Sequence, residues 1–290
     1  MCQLLRFLCF ACLLVPPGGS VGAFAQTFRP LPESLNEISG MAVVDSDSIY
    51  VINDGGNGPL LHVIDRCGTV RHTYPIAGTS NQDWESLARD ERGRLYLCDV
   101  GNNNNDRRNL RIYRYDPRSR AVDTIAFRYP DQSEYTLPRK DWRYDLEAVA
   151  WWGDSLHLFT KNRIREGDYT TTHYTLPDRP GDYVAQLRER FALKKKVITG
   201  AAIHPDGTEL VLLTYDVGRF LGVLPYFRAA VFRYRRFEKG FANAEVTRIR
   251  LPGLLKRQYE AIDYLNATTL LIGAERSFIL APRLLELPLK

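Results

Sequence analysis

One short pattern recurs along this chain and dictates what it can fold into. Glu37-Ile38-Ser39-Gly40-Met41-Ala42-Val43 begins the first copy and Glu85-Ser86-Leu87-Ala88 the second. Glu147-Ala148-Val149-Ala150-Trp151, Thr199-Gly200-Ala201-Ala202-Ile203 and Glu260-Ala261-Ile262-Asp263-Tyr264 begin the third, fourth and fifth. The starts are 48, 62, 52 and 61 residues apart. After a polar turn, each opening is followed by a second apolar run: Ser48–Ile52, Arg94–Val100, Ser155–Thr160, Glu209–Thr214 and Thr269–Ala274. The turns carry Asp45-Ser46-Asp47, Glu91-Arg92-Gly93, Gly153-Asp154, Pro205-Asp206-Gly207 and Asn266-Ala267, residues suited to tight reversals between strands. Third strands are expected at Leu60–Asp65, Leu110–Tyr115, Thr172–Leu176, Ala230–Tyr234 and Phe278–Ala281, and fourth strands at Val70–Ile76, Thr124–Tyr129, Phe191–Lys195 and Glu245–Leu251.

Four antiparallel strands recurring about every fifty residues are the dimensions of a β-propeller blade. A parallel β-helix repeats over much shorter coils, and a sandwich does not repeat an opening motif at this spacing. The expected fold is therefore all-β, a five-bladed propeller. A six-bladed count would need a degenerate blade within Glu85–Glu147, where Asp131–Arg143 reads as an inserted loop. The fifth unit runs out after three strands, near Leu284–Leu289, while Thr27–Leu31 precedes the first unit without a blade of its own. Ring closure follows: the N-terminal segment supplies the outer strand of the last blade and removes an exposed edge. A short helix is expected near Gly181–Arg190. Tyr 16 and Phe 13 against two Met suit a strand-rich protein.

Residues 1–25 read as a secretory signal peptide. Arg6 precedes an apolar run from Phe7 to Val15, Pro16-Pro17-Gly18-Gly19 break it, and Ala23-Phe24-Ala25 offers a small-x-small cleavage site. The run is too short to span a bilayer, so no transmembrane segment is expected. Cys12 is a weaker alternative, a lipoprotein-type site. Residues 26–290 are then one propeller domain, secreted or periplasmic and monomeric. Cys67 and Cys98 remain in that domain; in an exported chain they either pair as a disulfide or stay as reduced thiols, Cys98 within a buried strand. The formal net charge of +5 is too small an excess to predict nucleic-acid binding.

Asn53-Asp54-Gly55-Gly56, Leu61-His62-Val63-Ile64-Asp65, Asp83-Trp84-Glu85-Ser86-Leu87-Ala88 and Leu95-Tyr96-Leu97-Cys98-Asp99-Val100-Gly101-Asn102-Asn103 resemble a group of secreted bacterial propellers. That group is loosely related to the SMP-30/gluconolactonase-like and NHL-type propellers, and its members are described as esterase-like or phytase-like. The resemblance spans most of residues 26–290 and is strongest in the first three units. It implies the propeller fold and no particular reaction.

In a propeller the first strand of each blade lines the axial channel. The openings therefore bring Glu37, Glu85, Glu147, Thr199 and Glu260 toward one ring. The ends of the second strands add Asp54, Asp99, Lys161, Asp216 and Glu275, and Asp83 and Asp145 sit two residues ahead of their glutamates. Carboxylates so crowded repel unless a cation, protonation or basic partners offset them. Two readings follow. Glu37, Glu85, Glu147 and Glu260 hold a hard cation, calcium by donor chemistry; or the repeated side chains cap backbone groups of the neighbouring blade, a structural role that the Thr199 replacement favours. The Asp99–Asp106 stretch is likewise either an Asp/Asn calcium loop or an Asx-rich turn, and it lacks EF-hand spacing.

No G-x-S-x-G elbow, P-loop or dinucleotide fingerprint is present. His62, His72, His157, His173 and His204 lack metal-type spacing. The basic stretches Arg188–Lys196 and Arg228–Lys239 read as solvated outer strands. Two functions fit: a non-catalytic binding or scaffold module for a small molecule or protein, or a calcium-dependent hydrolase of phosphate or carboxylic esters at the channel mouth. In the latter, Asp54 or Asp99 would act on the water.

Overall fold

The computed structural model describes residues 26–161, 169–193, 196–220, 224–251, 257–277 and 280–289, without the side chains of 217–220 and 224–227. The expected leader lies outside these residues, as do parts of the strands expected at Phe191–Lys195 and Phe278–Ala281.

The chain begins with β1 (Thr27–Pro30). Blade one is β2 (Ile38–Asp45), β3 (Ser48–Asn53), β4 (Leu60–Ile64) and β5 (Val70–Pro75). Blade two is β6 (Trp84–Arg89), β7 (Leu95–Asp99), β8 (Arg111–Tyr115) and β9 (Val122–Arg128). Blade three starts with β10 (Leu146–Trp152), β11 (Ser155–Thr160) and β12 (Thr170–Pro177). The chain then leaves it: β13 (Gly181–Val184) pairs in parallel with β9 on the outer edge of blade two, and β14 (Gln186–Ala192) returns to complete blade three. Blade four is β15 (Val197–Ile203), β16 (Glu209–Phe220), β17 (Leu224–Arg235) and β18 (Glu245–Arg250); blade five is β19 (Tyr259–Asn266), β20 (Thr269–Ala274) and β21 (Arg283–Pro288). The innermost strands pack in the cyclic order β2, β6, β10, β15, β19 and back to β2, which makes a five-bladed ring.

Closure follows the expectation. β1 pairs antiparallel with β21 as the fourth strand of blade five. The seam is latched by Leu31 N–H donating to Pro282 O, by Arg276 N–H donating to Asn36 O, and by Arg66 gripping Glu286 at 2.7 and 2.5 Å.

Three elements differ from the sequence reading. Gly181–Arg190 is two strands rather than a helix, because two sheet edges compete for its backbone: β9 takes one half and β12 the other. The third strand of blade five is β21, not Phe278–Ala281; Leu284, Leu285 and Leu287 bury their side chains there while the backbone pairs on both sides. The hairpin of blade four is far longer than expected. Pairing between β16 and β17 runs on from Asp216↔Arg228 to Phe220↔Leu224, beyond Tyr215, which pairs with Val197 at the start of β15, so it projects on the face where the innermost strands begin.

The core is not central. Apolar side chains are buried as wedges between adjacent blades: Trp84 and Leu97 between one and two, Tyr96 and Tyr174 between two and three, Phe159 and Phe241 between three and four. Val211 with Leu285 and Leu35 with Leu271 complete the circle. Each blade is thus stabilised by apolar area shared with two neighbours.

Candidate functional site

Every innermost strand carries a one-residue bulge at the same place. The register slips between Ile38 and Gly40, Trp84 and Ser86, Leu146 and Ala148, Ile198 and Gly200, and Tyr259 and Ala261. The bulged residues are therefore Ser39, Glu85, Glu147, Thr199 and Glu260. A bulge re-aims a side chain, so these five are the equivalent set. Glu37 belongs with Asp83 and Asp145, two residues earlier. The signal available in the sequence was the small residue that follows each bulge, Gly40, Ser86, Ala148, Gly200 and Ala261. At Gly200 a Cβ would sit 2.9 Å from Glu260 O of the next blade, so the blades' close approach demands a small residue.

The bulged hydroxyls have a structural role. Ser39 Oγ donates to Trp84 O at 2.7 Å and Thr199 Oγ1 to Tyr259 O at 2.8 Å. In both cases the accepting carbonyl immediately precedes the bulged glutamate of the next blade.

The ends of the second strands are set by another repeated bond. Asp54 N–H donates to Glu37 O (2.8 Å), Val100 to Asp83 O (3.1 Å), Lys161 to Asp145 O (2.8 Å) and Glu275 to Gln258 O (3.1 Å); in blade four Tyr215 pairs with Val197. The inward ring is thus Asp54, Val100, Lys161, Tyr215 and Glu275. Asp99 and Asp216 fall out of this register. Asp99 is wholly buried, with Arg107 Nη2 at 2.9 Å and the Asp83 N–H at 3.0 Å on the same oxygen, and Asp216 lies 2.9 Å from both Lys196 and Arg228.

Three carboxylates meet at the mouth: ligand oxygens of Asp54, Asp83 and Glu85 all lie within 4.8 Å of one another. Among the described residues none of the three has an ion pair with Lys or Arg. Burial pushes Asp54 and Asp83 up to about 6, with Glu260 and Glu37 adding to the first and Asp54 and Asp145 to the second. Asp83 also shares a hydrogen bond with Asp54. Burial, then the Asp54 charge, holds Glu85 well above the carboxylate range. Gly101 makes room for this group: a Cβ there would lie 2.7 Å from Glu85 Oε1 and closer still to the Asp83 carboxyl.

The remaining glutamates are committed. Lys161 Nζ contacts Glu147 Oε1, and although burial lowers the Lys161 pKa, Tyr215, Asp145, Glu85 and Glu260, drawn from four blades, raise it more. Glu260 accepts from Gln258 Nε2 at 3.2 Å and shares a hydrogen bond with Glu275, which burial and Glu260 push up to about 9. Glu37 is exposed and accepts from Asn57 at 2.6 Å. So of the four sequence-predicted metal glutamates only Glu85 joins the close triad.

The Asp99–Asp106 loop is tied down by Asx hydrogen bonds. Its Asn102 N–H donates to Asp145 Oδ1, Asn105 Oδ1 takes the N–H groups of Arg143 and Tyr144, and Asn102 Oδ1 takes that of Arg107. Cys67 and Cys98 are both free, which overturns the disulfide: Cys67 is exposed in the turn after β4 and Cys98 is enclosed in the wedge between blades two and three. His157 and His173 pair with each other at 3.0 Å inside blade three.

Beyond the bulges the channel is layered. Side chains alternate along a strand, so two residues on from each bulge stand Met41, Leu87, Val149, Ala201 and Ile262, a closed apolar belt. Two further on stand Val43, Arg89, Trp151, Ile203 and Tyr264, which with the belt line a cavity of about 190 Å³ at the opposite mouth.

Comparisons with known proteins give the fold. No protein-family model matches the chain, and no curated protein matches it. Among solved structures, the PQQ-bound aldose sugar dehydrogenase of Streptomyces coelicolor is 12% identical, with 91% of this chain and 98% of that one covered and a TM-score of 0.51. An α-L-arabinanase of Penicillium chrysogenum is 7% identical over 90% and 96%, TM-score 0.50. A gluconolactonase of Xanthomonas campestris is 14% identical over 96% and 100%, TM-score 0.45. The structural neighbours thus include a gluconolactonase and other propeller enzymes.

Proposed function

We propose that the acidic mouth is a divalent-cation site, calcium by its donors, and that the chain is a non-catalytic module binding an oxygen-rich ligand there. One observation carries this reading: Asp54, Asp83 and Glu85 stand within 4.8 Å of one another, brought together from two blades. Carboxylates held that close repel, and an oxygen-only set of this kind suits a hard cation. Asp54, Asp83 and Glu85 would hold it. Calcium would supply open positions for carboxylate or phosphate oxygens of a small molecule or a protein. Lys161 keeps Glu147 out of the triad and offsets part of the remaining charge. With a leader removed near Ala25 the chain would work in the periplasm or outside the cell, where modules bind calcium with Kd of roughly 10⁻⁴–10⁻³ M.

A second reading, hydrolysis of a phosphate or carboxylic ester, is favoured by Glu275. Its carboxyl keeps a proton up to about pH 9 against Glu260, which suits a general acid delivering that proton to a leaving group.

The test is calorimetric titration of residues 26–290 with calcium, beside turnover assays on generic esters and phosphomonoesters. Calcium heat that disappears in Glu85→Gln, without turnover, supports the binding module. Turnover lost in Glu275→Gln supports the hydrolase. No heat at several times about 1 mM calcium overturns the cation site.

A further inference from the structure

The far end of the channel is chemically unlike the acidic mouth. The apolar belt of Met41, Leu87, Val149, Ala201 and Ile262 is at most 7% exposed, so the two mouths do not share solvent through it. Above the belt the ring is apolar or aromatic in four blades and carries Arg89 at the end of β6; Asp90, Glu91 and Asp263 also line this mouth.

Apart from Glu91, exposed in the turn after β6, the other polar groups at this mouth are already committed. The half-buried Asp263 accepts the Val43 N–H on one oxygen at 2.7 Å and the Tyr264 N–H on the other at 2.8 Å. His204 is held between Asp206, at 2.6 Å, and Ala267 O, at 3.0 Å. Trp151 Nε1 donates to Asp178 and Tyr264 OH to Glu209, which leaves their rings to the cavity. Asp90 is taken by Arg94 at 2.5 Å. Arg89 is different: among the described residues its guanidinium has no hydrogen bond or ion pair, though its charge is felt at Asp263.

We infer that this second mouth binds a small carboxylate with an apolar body. The guanidinium fork of Arg89 takes the two carboxylate oxygens, a match of planar groups that a point charge does not offer. The body rests on the belt, against Trp151 and Ile203. The size fits, since an apolar cavity of about 150 Å³ holds benzene and this one measures about 190 Å³. A larger ligand would meet the belt. The inference is independent of the acidic mouth.

Benzoate is the probe, with benzamide as its uncharged counterpart, titrated into residues 26–290 by calorimetry and by tryptophan fluorescence. Benzoate is expected to bind, benzamide more weakly. Arg89→Gln should weaken benzoate about ten- to a hundredfold, the loss of a charged hydrogen-bond pair, and leave benzamide unchanged. Arg89→Lys, which keeps the charge and loses the fork, should fall between; it also stands in if Arg89→Gln melts before assay. Glu85→Gln should leave benzoate binding untouched. No benzoate binding to the unaltered chain at about 20 mM, equal binding by Arg89→Gln, or loss of binding in Glu85→Gln would each overturn the inference.

Discussion

Replacing Asp54 by Asn should stabilise the calcium-free protein and abolish its response to calcium. The carboxyl is pushed from an ordinary 3.8 to about 6, mainly by burial, then by Glu260 and Glu37. Ionising it in the fold is therefore more than a hundredfold harder than in the unfolded chain, about 3 kcal/mol at full value. Asp54 is only half-buried, and solvent screening reduces the figure to about 1–2 kcal/mol. The sign follows from linkage: a raised acid pKa penalises the fold above about pH 6, and the penalty vanishes as pH falls below 3.8, where both states hold the proton. Asn keeps the bond to the Gly55 N–H and offers Asp83 a donor where Asp54 shares a hydrogen bond. In chelator at pH 8, Asp54→Asn should raise Tm by roughly 2–8 °C, at about 2–4 °C per kcal/mol for a chain of this size, and the gain should fade toward pH 4. Calcium at a hundred times Kd should raise the Tm of the unaltered protein by an amount worth about 2.7 kcal/mol and that of the variant by much less. Scanning calorimetry with and without calcium at the two pH values reads all four numbers. A variant that melts lower than the parent in chelator at pH 8 would refute the account of the mouth as a cluster of mutually repelling carboxylates.

Two further predictions concern the frame around the site. Thr199→Val keeps the shape of a side chain that is 1% exposed but removes the donor to Tyr259 O, so Tm should drop by roughly 4–8 °C for about 2 kcal/mol; calcium binding should not change, and Ser39→Ala should behave alike. Burial lowers the pKa of His157 to about 4 and that of His173 to about 3, so their contribution is complete above the ordinary 6.5 and is lost as pH falls toward 4, where the unfolded chain takes up protons the fold refuses. His173→Gln should therefore flatten the melting-temperature profile between pH 6.5 and about 4 relative to the parent; identical profiles would show that the pair does not control acid stability.

The architecture was legible because it is a local signal written five times. Alternation and turn residues mark strands by short-range physics, and repetition at blade spacing leaves few folds to choose from. Thr27–Leu31 was identifiable as the closing strand because an edge left open in blade five has to be covered. The signal failed where distant backbone decided. Gly181–Arg190 became strands because β9 and β12 offered hydrogen-bonding edges that no local propensity announces. Glu37 matched the pattern by letter, yet the bulge places Ser39 at its position, and a bulge is a property of two paired strands rather than of one.

The residues of the candidate site were on the page as a crowd of acids near one axis. Which of them meet was decided by the tertiary structure alone: Asp54 joins Asp83 and Glu85 across a blade boundary, while Glu147 goes to Lys161, Glu260 to Glu275, and Asp99 to Arg107. Cys67 and Cys98 were an even pair by count and are separated by the fold. Nothing in the sequence singles out Arg89; only the closed ring sets it beside Trp151, Ile203 and Tyr264 at the rim of a cavity. Periodicity along the chain determines which face of a strand a side chain occupies; only the closing of the ring determines what stands opposite it, because charge and contact act through space across residues far apart in sequence.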